Sequence, residues 1–165
     1  MSALLAITLL SACSDASAGA SGPPPPPGIT DAPAESISTL PPVPIEQPSP
    51  LSNGLEVTAV STEPLELVAN GPGEIAGSGV SVTLDFVNKA TTDISLDTLT
   101  VTAYYGDRLP AAPGAADTAT PVSGSLAPGE HRQGAYVFQI PEDGRDSTIF
   151  EVGHTDSQNV IAVSR

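Results

Sequence analysis

The chain has 165 residues, with five Lys and Arg against 19 Asp and Glu and a formal charge of −14. Such an acidic surface repels phosphate backbones and anionic headgroups, which argues against nucleic-acid binding and means that membrane contact needs a hydrophobic anchor. One cysteine excludes an intrachain disulfide scaffold, and the lack of Trp leaves a core of Val, Leu, Ile, Ala and a few rings.

Residues 3–10 are apolar apart from Thr8. That run is far short of the roughly 20 residues of a spanning helix, but it fits the hydrophobic region of a secretion signal. It leads through small residues to Cys13, the lone cysteine. Nucleophilic catalysis by this thiol would need a base nearby in space, and the only histidines, His131 and His154, are far along the chain. Leu10-Ser11-Ala12-Cys13 resembles the lipobox of bacterial lipoproteins. The resemblance implies a signal peptide at 1–12, a diacylglyceryl group on the Cys13 thiol and cleavage before Cys13. Two acyl chains suffice for stable anchoring, where one is marginal. Such signals normally open with Lys or Arg, and residues 1–12 hold neither. The competing reading is an apolar terminus with an incidental cysteine. The small, polar stretch "SDASAGASG" after Cys13 favours a tether.

Residues 13–50 read as that tether. Eleven of the 18 prolines lie here, including the run 23–27. Proline fixes φ and removes a donor, so neither helix nor central strand is expected. A Pro-rich tether favours polyproline II at about 3.1 Å per residue, so this one reaches roughly 115 Å when extended. A PxxP ligand for an aromatic groove is the alternative use of such a stretch.

Residues 51–165 read as the folded domain. In "VSVTLDFVN", Val80, Val82, Leu84 and Phe86 share one face. Leu99, Val101, Ala103 and Tyr105 do so in "LTVTAYY", and Tyr136, Phe138 and Ile140 in "AYVFQI". Alternation of period two marks half-buried antiparallel strands. Further strands are expected at 55–60, 121–126, 148–152 and 160–163, with weaker ones at 65–68 and 94–96. No segment carries a stripe of helical period. Asn70-Gly71-Pro72-Gly73, Pro113-Gly114, Pro128-Gly129 and Asp143-Gly144 supply turns. About seven to eight short strands with turns between them predict an all-β, immunoglobulin-like antiparallel sandwich held by packing alone.

The stretches "GPGEIAGSGVSVTLDFVN" (71–88), "VTAYYGDRLPA" (101–111) and "PVSGSLAPGEHRQGAYVFQIP" (121–141) carry a second resemblance. They are similar to the telokin-like, immunoglobulin-like domains of unknown function on lipoproteins and surface proteins of high-GC Gram-positive bacteria. Those domains combine a strand ending in Asn, a Pro-Gly-Glu turn and a strand ending "VF-x-(I/V)-P". The resemblance spans about 55–163. It implies a sandwich and an extracytoplasmic place, and no catalytic residues.

The remaining clusters carry little chemistry. Gly71, Gly73, Gly77 and Gly79 precede a strand without the lysine of a phosphate loop, so they read as a turn. Glu142, Asp143 and Asp146 lack the ligand spacing of a calcium loop and read as a solvated turn. Glu130-His131 and His154-Thr155-Asp156 are too far apart for a metal set, and both histidines are expected in surface loops. Tyr104 faces outward on its strand, where an exposed ring can anchor a partner, but the favoured reading is an ordinary strand tyrosine.

The expectation is a non-enzymatic cell-surface lipoprotein, with no cofactor and no metal. It is held on the extracytoplasmic face of the membrane by the diacylglyceryl on Cys13, and its domain meets an envelope or extracellular protein. The alternative is an accessory solute- or metal-binding lipoprotein that delivers a ligand to a membrane complex.

Overall fold

Thirteen strands and two short 3-10 turns account for the regular structure of this computed structural model, which describes residues 36–73, 75–114 and 119–165. The predicted signal peptide, Cys13 and the tether as far as residue 35 lie outside the described residues. The strands are β1 (Ser38–Thr39), β2 (Val43–Pro44), β3 (Ser49–Pro50), β4 (Leu55–Leu67), β5 (Gly77–Asn88), β6 (Ile94–Ser95) and β7 (Leu99–Tyr105). There follow β8 (Leu109–Pro110), β9 (Ala112–Pro113), β10 (Ser125–Leu126), β11 (His131–Gln139), β12 (Ile149–His154) and β13 (Asn159–Ser164).

The strands form two main sheets. One runs β3-β4-β5-β11-β9; the other runs β1-β13-β12-β7-β8, with β2 also on β13. The inner faces meet where the alternation placed them. Val80, Val82, Leu84 and Phe86 of β5 are fully buried and face Phe150, Val152, Ile161 and Val163 of the other sheet. Packing of alternate residues between two antiparallel sheets is the sandwich core. Phe138 and Phe150 bring their rings to 6.0 Å across it.

Three departures from the sequence reading have local causes. The strands expected at 55–60 and 65–68 are one strand, β4, with a bulge between Ala59 and Ser61. A bulge adds one residue to one strand and so flips the faces beyond it. Leu67 therefore leaves the core side and lies beside Gly79 and Gly114 with Val137. The strand expected at 121–126 shrinks to β10, because Pro121 has no donor and Gly124 sits at φ +79°. Asp143-Gly144 separates β11 from β12 as expected, but not as an isolated turn. It lies in a 3-10 helix, Glu142–Ser147, where a Cβ on Gly144 would come within 2.7 Å of the Tyr105 ring. Pro128-Gly129 is the expected type II turn, with Gly129 at φ +80° and Glu130 N donating to Ala127 O at 3.0 Å.

The tether reading to residue 50 also needs correction, for residues 38–50 belong to the sandwich. Segments β1 and β2 lie parallel to β13, tied by Ser38 N to Gln158 O (3.1 Å) and Leu40 N to Val160 O (2.8 Å). A turn at 44–47, with Glu46 at φ 69°, then carries the chain over to β3 on the other sheet. Proline is barred from central strands but allowed at an edge, and this strap is an edge. Pro41, Pro42 and Pro44 break it into two-residue pieces.

Candidate functional site

The solvent side of the second sheet carries a covered carboxylate, Glu151, beside a cleft. Phe150 and Val152 of β12 point into the core, so Glu151 and Gly153 point out. Glu151 is nonetheless only 9% exposed. A carboxylate so covered needs a partner, and Arg108 supplies one, its Nη2 donating to Glu151 Oε1 at 2.8 Å.

The β7–β8 turn aims this arginine. Arg108 takes φ 59°, a left-handed conformation rare outside glycine, two residues after Gly106 at φ 53°. From there its guanidinium lies 4.8 Å from the centre of the Tyr104 ring, within cation–π range. The hydrogen bond and then the charge of Glu151 hold Arg108 above its ordinary pKa. The arginine itself stays well exposed, so solvent screens the pair and leaves Arg108 free to swing away.

Below this pair a cleft of about 280 Å³ opens on the sheet. Thr100 and Thr102 of β7 form one side, Glu151 and Gly153 the floor, and Val160 of β13 and Ile37 the other side. Ile37 is 67% exposed. Among the described residues nothing donates to Glu151 Oε2, and neither threonine hydroxyl has a protein partner.

The other residues singled out in the sequence fall elsewhere. His154 is not in a surface loop. It ends β12 and its side chain is buried, with Nε2 at 2.7 Å from Ser95 O and 3.0 Å from Thr98 Oγ1, and Nδ1 accepting from Asp156 N at 3.0 Å. Both ring nitrogens are therefore consumed in tying β12 to the segment around β6. His131 is exposed as expected, but it begins β11 and stands 3.4 Å from Asp85. Glu142, Asp143 and Asp146 lie on the 3-10 helix, and Arg145 beside them bonds Ser78 Oγ and approaches Glu66. No cluster of three metal-ligating side chains occurs among the described residues. Gly73, at φ +87°, turns the chain between β4 and β5, while Gly77 and Gly79 are within β5. Cys13 and the lipobox residues Leu10, Ser11 and Ala12 lie outside the described residues.

The sequence reading missed Glu151, Arg108, Gly153 and Ile37. The signal for Glu151 was present: it is the one charge in the apolar run "IFEV". Nothing local marked Arg108 as its partner, since 43 positions separate them.

The fold defines an immunoglobulin-like β-sandwich domain without a disulfide. It is similar to the yjhA protein from Bacillus subtilis, with a TM-score of 0.59 and 11% identity, over 73% of this chain and 98% of that one. It is likewise similar to MPT63, a secreted protein from Mycobacterium tuberculosis, with a TM-score of 0.54 and 11% identity, over 75% of this chain and 98% of that one. An uncharacterized beta-sandwich protein from Clostridium difficile 630 aligns at a TM-score of 0.44 with 13% identity, over 77% of this chain and 94% of that one. At these identities the likeness is one of fold. No family model and no curated protein matches the sequence. Among the described residues no helix is long and apolar enough to cross a membrane.

Proposed function

We propose that the chain is a non-enzymatic surface lipoprotein, anchored through a diacylglyceryl on Cys13, whose sandwich serves as a binding module on the extracytoplasmic face. The observation that carries the anchoring is the Leu10-Ser11-Ala12-Cys13 sequence after a short apolar run. The fold likeness to a secreted sandwich protein supports an extracytoplasmic place. Binding rather than catalysis is supported by the way the polar groups are used. His154 is locked into the fold by three contacts, and Glu151 is paired with an arginine rather than with a nucleophile or proton acceptor.

The test is the intact mass of the mature protein from the membrane fraction of the native host, for wild type and Cys13→Ala. Wild type is expected to begin at an acylated Cys13, and the variant to lose both the acyl mass and the membrane. Recovery of wild type with Met1 in place and a free thiol would end the lipoprotein reading.

A further inference from the structure

We propose that the cleft beside Glu151 binds a primary alkylammonium group, with the ammonium on Glu151 Oε2 and the aliphatic stem along Ile37 and Val160. This deepens the binding-module reading and rests on it, but not on the lipid anchor.

Three observations lead there. First, Gly153 is unexplained by the fold. Glycine weakens a strand interior and is retained for a special φ or a close approach. Gly153 has no left-handed φ, and a Cβ there would meet only Val160 Cγ2, at an ordinary 3.5 Å. What a side chain would do is fill the cleft floor. Second, Glu151 keeps one oxygen without a protein donor at the border of that cleft. An apolar occupant would strip water from this oxygen without replacing it. An anion would meet a like charge. A metal would find one carboxylate and several hydroxyls, and the ring nitrogens of His154, which also lines the cleft, are already spent on Ser95, Thr98 and Asp156, short of the usual ligand set. A cation replaces the lost water with a charge-assisted hydrogen bond. Third, Arg108 already occupies Oε1. A guanidinium grips a carboxylate best with both oxygens, whereas an ammonium is a point donor that needs only one. The volume, about 280 Å³, lies just below the roughly 300–1,000 Å³ of pockets for drug-sized ligands. It suits one side chain or a small amine.

Arg108 is then a like charge beside the bound ammonium, on the other oxygen of the same carboxylate. It sits on Oε1 when the cleft is empty, and being exposed it swings away from an incoming cation at little cost.

The full chain carrying Cys13→Ala, labelled with 15N, is titrated with butylammonium, with the N-acetylated, C-amidated peptide Gly-Gly-Lys-Gly-Gly, and with the same capped peptide bearing norleucine in place of lysine. Both ammonium probes are expected to shift the amides of Thr100, Thr102, Gly153 and Val160, and the norleucine peptide to leave them in place. Shifts from the lysine peptide alone would assign the ligand to a protein side chain; shifts from both would admit free amines. Glu151→Gln should weaken binding about tenfold or more. Gly153→Val should abolish it, Gly153→Ala should weaken it, and Arg108→Ala should tighten it several-fold. Amides outside the cleft report whether each variant is folded. Equal shifts from the norleucine peptide, or an unchanged titration in folded Glu151→Gln, would overturn the proposal. Either result would leave the Cys13 measurement untouched, so the two readings fail separately.

Discussion

Asn88 shows how a single polar side chain fixes the loops at one end of this sandwich. It is fully buried at the end of β5. Its Nδ2 donates to Leu126 O at 2.7 Å and to Thr92 O at 2.9 Å, and its Oδ1 accepts from Ala90 N at 2.8 Å. Its main chain also exchanges bonds with the Pro128-Gly129 turn, through Glu130 O and Gly129 N. One amide thus joins the loop after β5 to the segment before β11. Alanine would remove three hydrogen bonds, although the Leu126 main chain keeps its ladder pairing with Ile94. Each such bond contributes about 1 kcal/mol net. Asn88→Ala is expected to lower the unfolding free energy by about 3 kcal/mol in a urea titration. Asn88→Asp retains only the acceptor and should lose nearly as much. A loss below 1 kcal/mol in Asn88→Ala would show that solvent reaches these groups. An Asn closing a strand before a Pro-Gly-Glu turn was visible in the sequence. Its three partners were not, because two of them are main-chain carbonyls that no residue type announces.

At the scale of elements, legibility followed burial. The faces of β5 and β7 could be read because each turns its more buried side to the core, and burial enforces the two-residue period. The edges could not. Residues 38–50 look like tether because proline dominates them, yet an outermost strand needs few donors and tolerates proline. The β4 bulge at Val60 was hidden because a one-residue insertion leaves no mark in composition. The cleft was hidden for a related reason. Thr100, Glu151, Val160 and Ile37 come from four separate segments, and only the pairing of β7, β12 and β13 unites them. The strap yields a direct test of the domain boundary. It contributes main-chain bonds from Ser38, Leu40 and Glu46 besides the pairing of β2 and β3, and it lays Val43 and Ile45 against the core. At about 1 kcal/mol per bond and about 1 kcal/mol for each partly buried aliphatic, its removal should cost at least about 5 kcal/mol. A chain beginning at residue 51 is therefore expected to unfold at lower urea than one beginning at residue 36. It should also self-associate, since the edge of β13 is then bare. Equal midpoints would show that the strap is ornamental and that the sandwich begins at Leu51.

For the molecule as a whole, the charge imbalance sets both stability and choice of partner. Of the five cations, Lys89, Arg108 and Arg145 are paired with Glu56, Glu151 and Glu66, and Arg132 bonds the carbonyls of Ser123 and Ser125. Most of the 19 acids are left to repel one another. Like charges on a compact surface destabilise it by an amount that falls as salt screens them. Between 10 mM and 150 mM salt the screening length drops from about 30 Å to about 8 Å. Surface ion pairs, by contrast, contribute about 0–1 kcal/mol each and lose part of that on screening. Repulsion among many carboxylates is long-ranged and outweighs three pairs that each keep an exposed partner. The midpoint of thermal unfolding should therefore rise by a few degrees over that salt range, in a monovalent chloride that binds no specific site. Calorimetry at both salt concentrations, at pH 7, decides it. A falling midpoint would mean that the pairs around Arg108, Arg145 and Lys89 outweigh the repulsion, and would make Arg108 a stabilising group rather than a dispensable one. The same field that loosens the fold at low salt draws cations toward it, and the pairing leaves Glu151 as a carboxylate on a cleft floor with one oxygen still open. A cationic ligand should thus bind most tightly under the conditions in which the free domain is least stable, and its stabilising effect should shrink as salt is added.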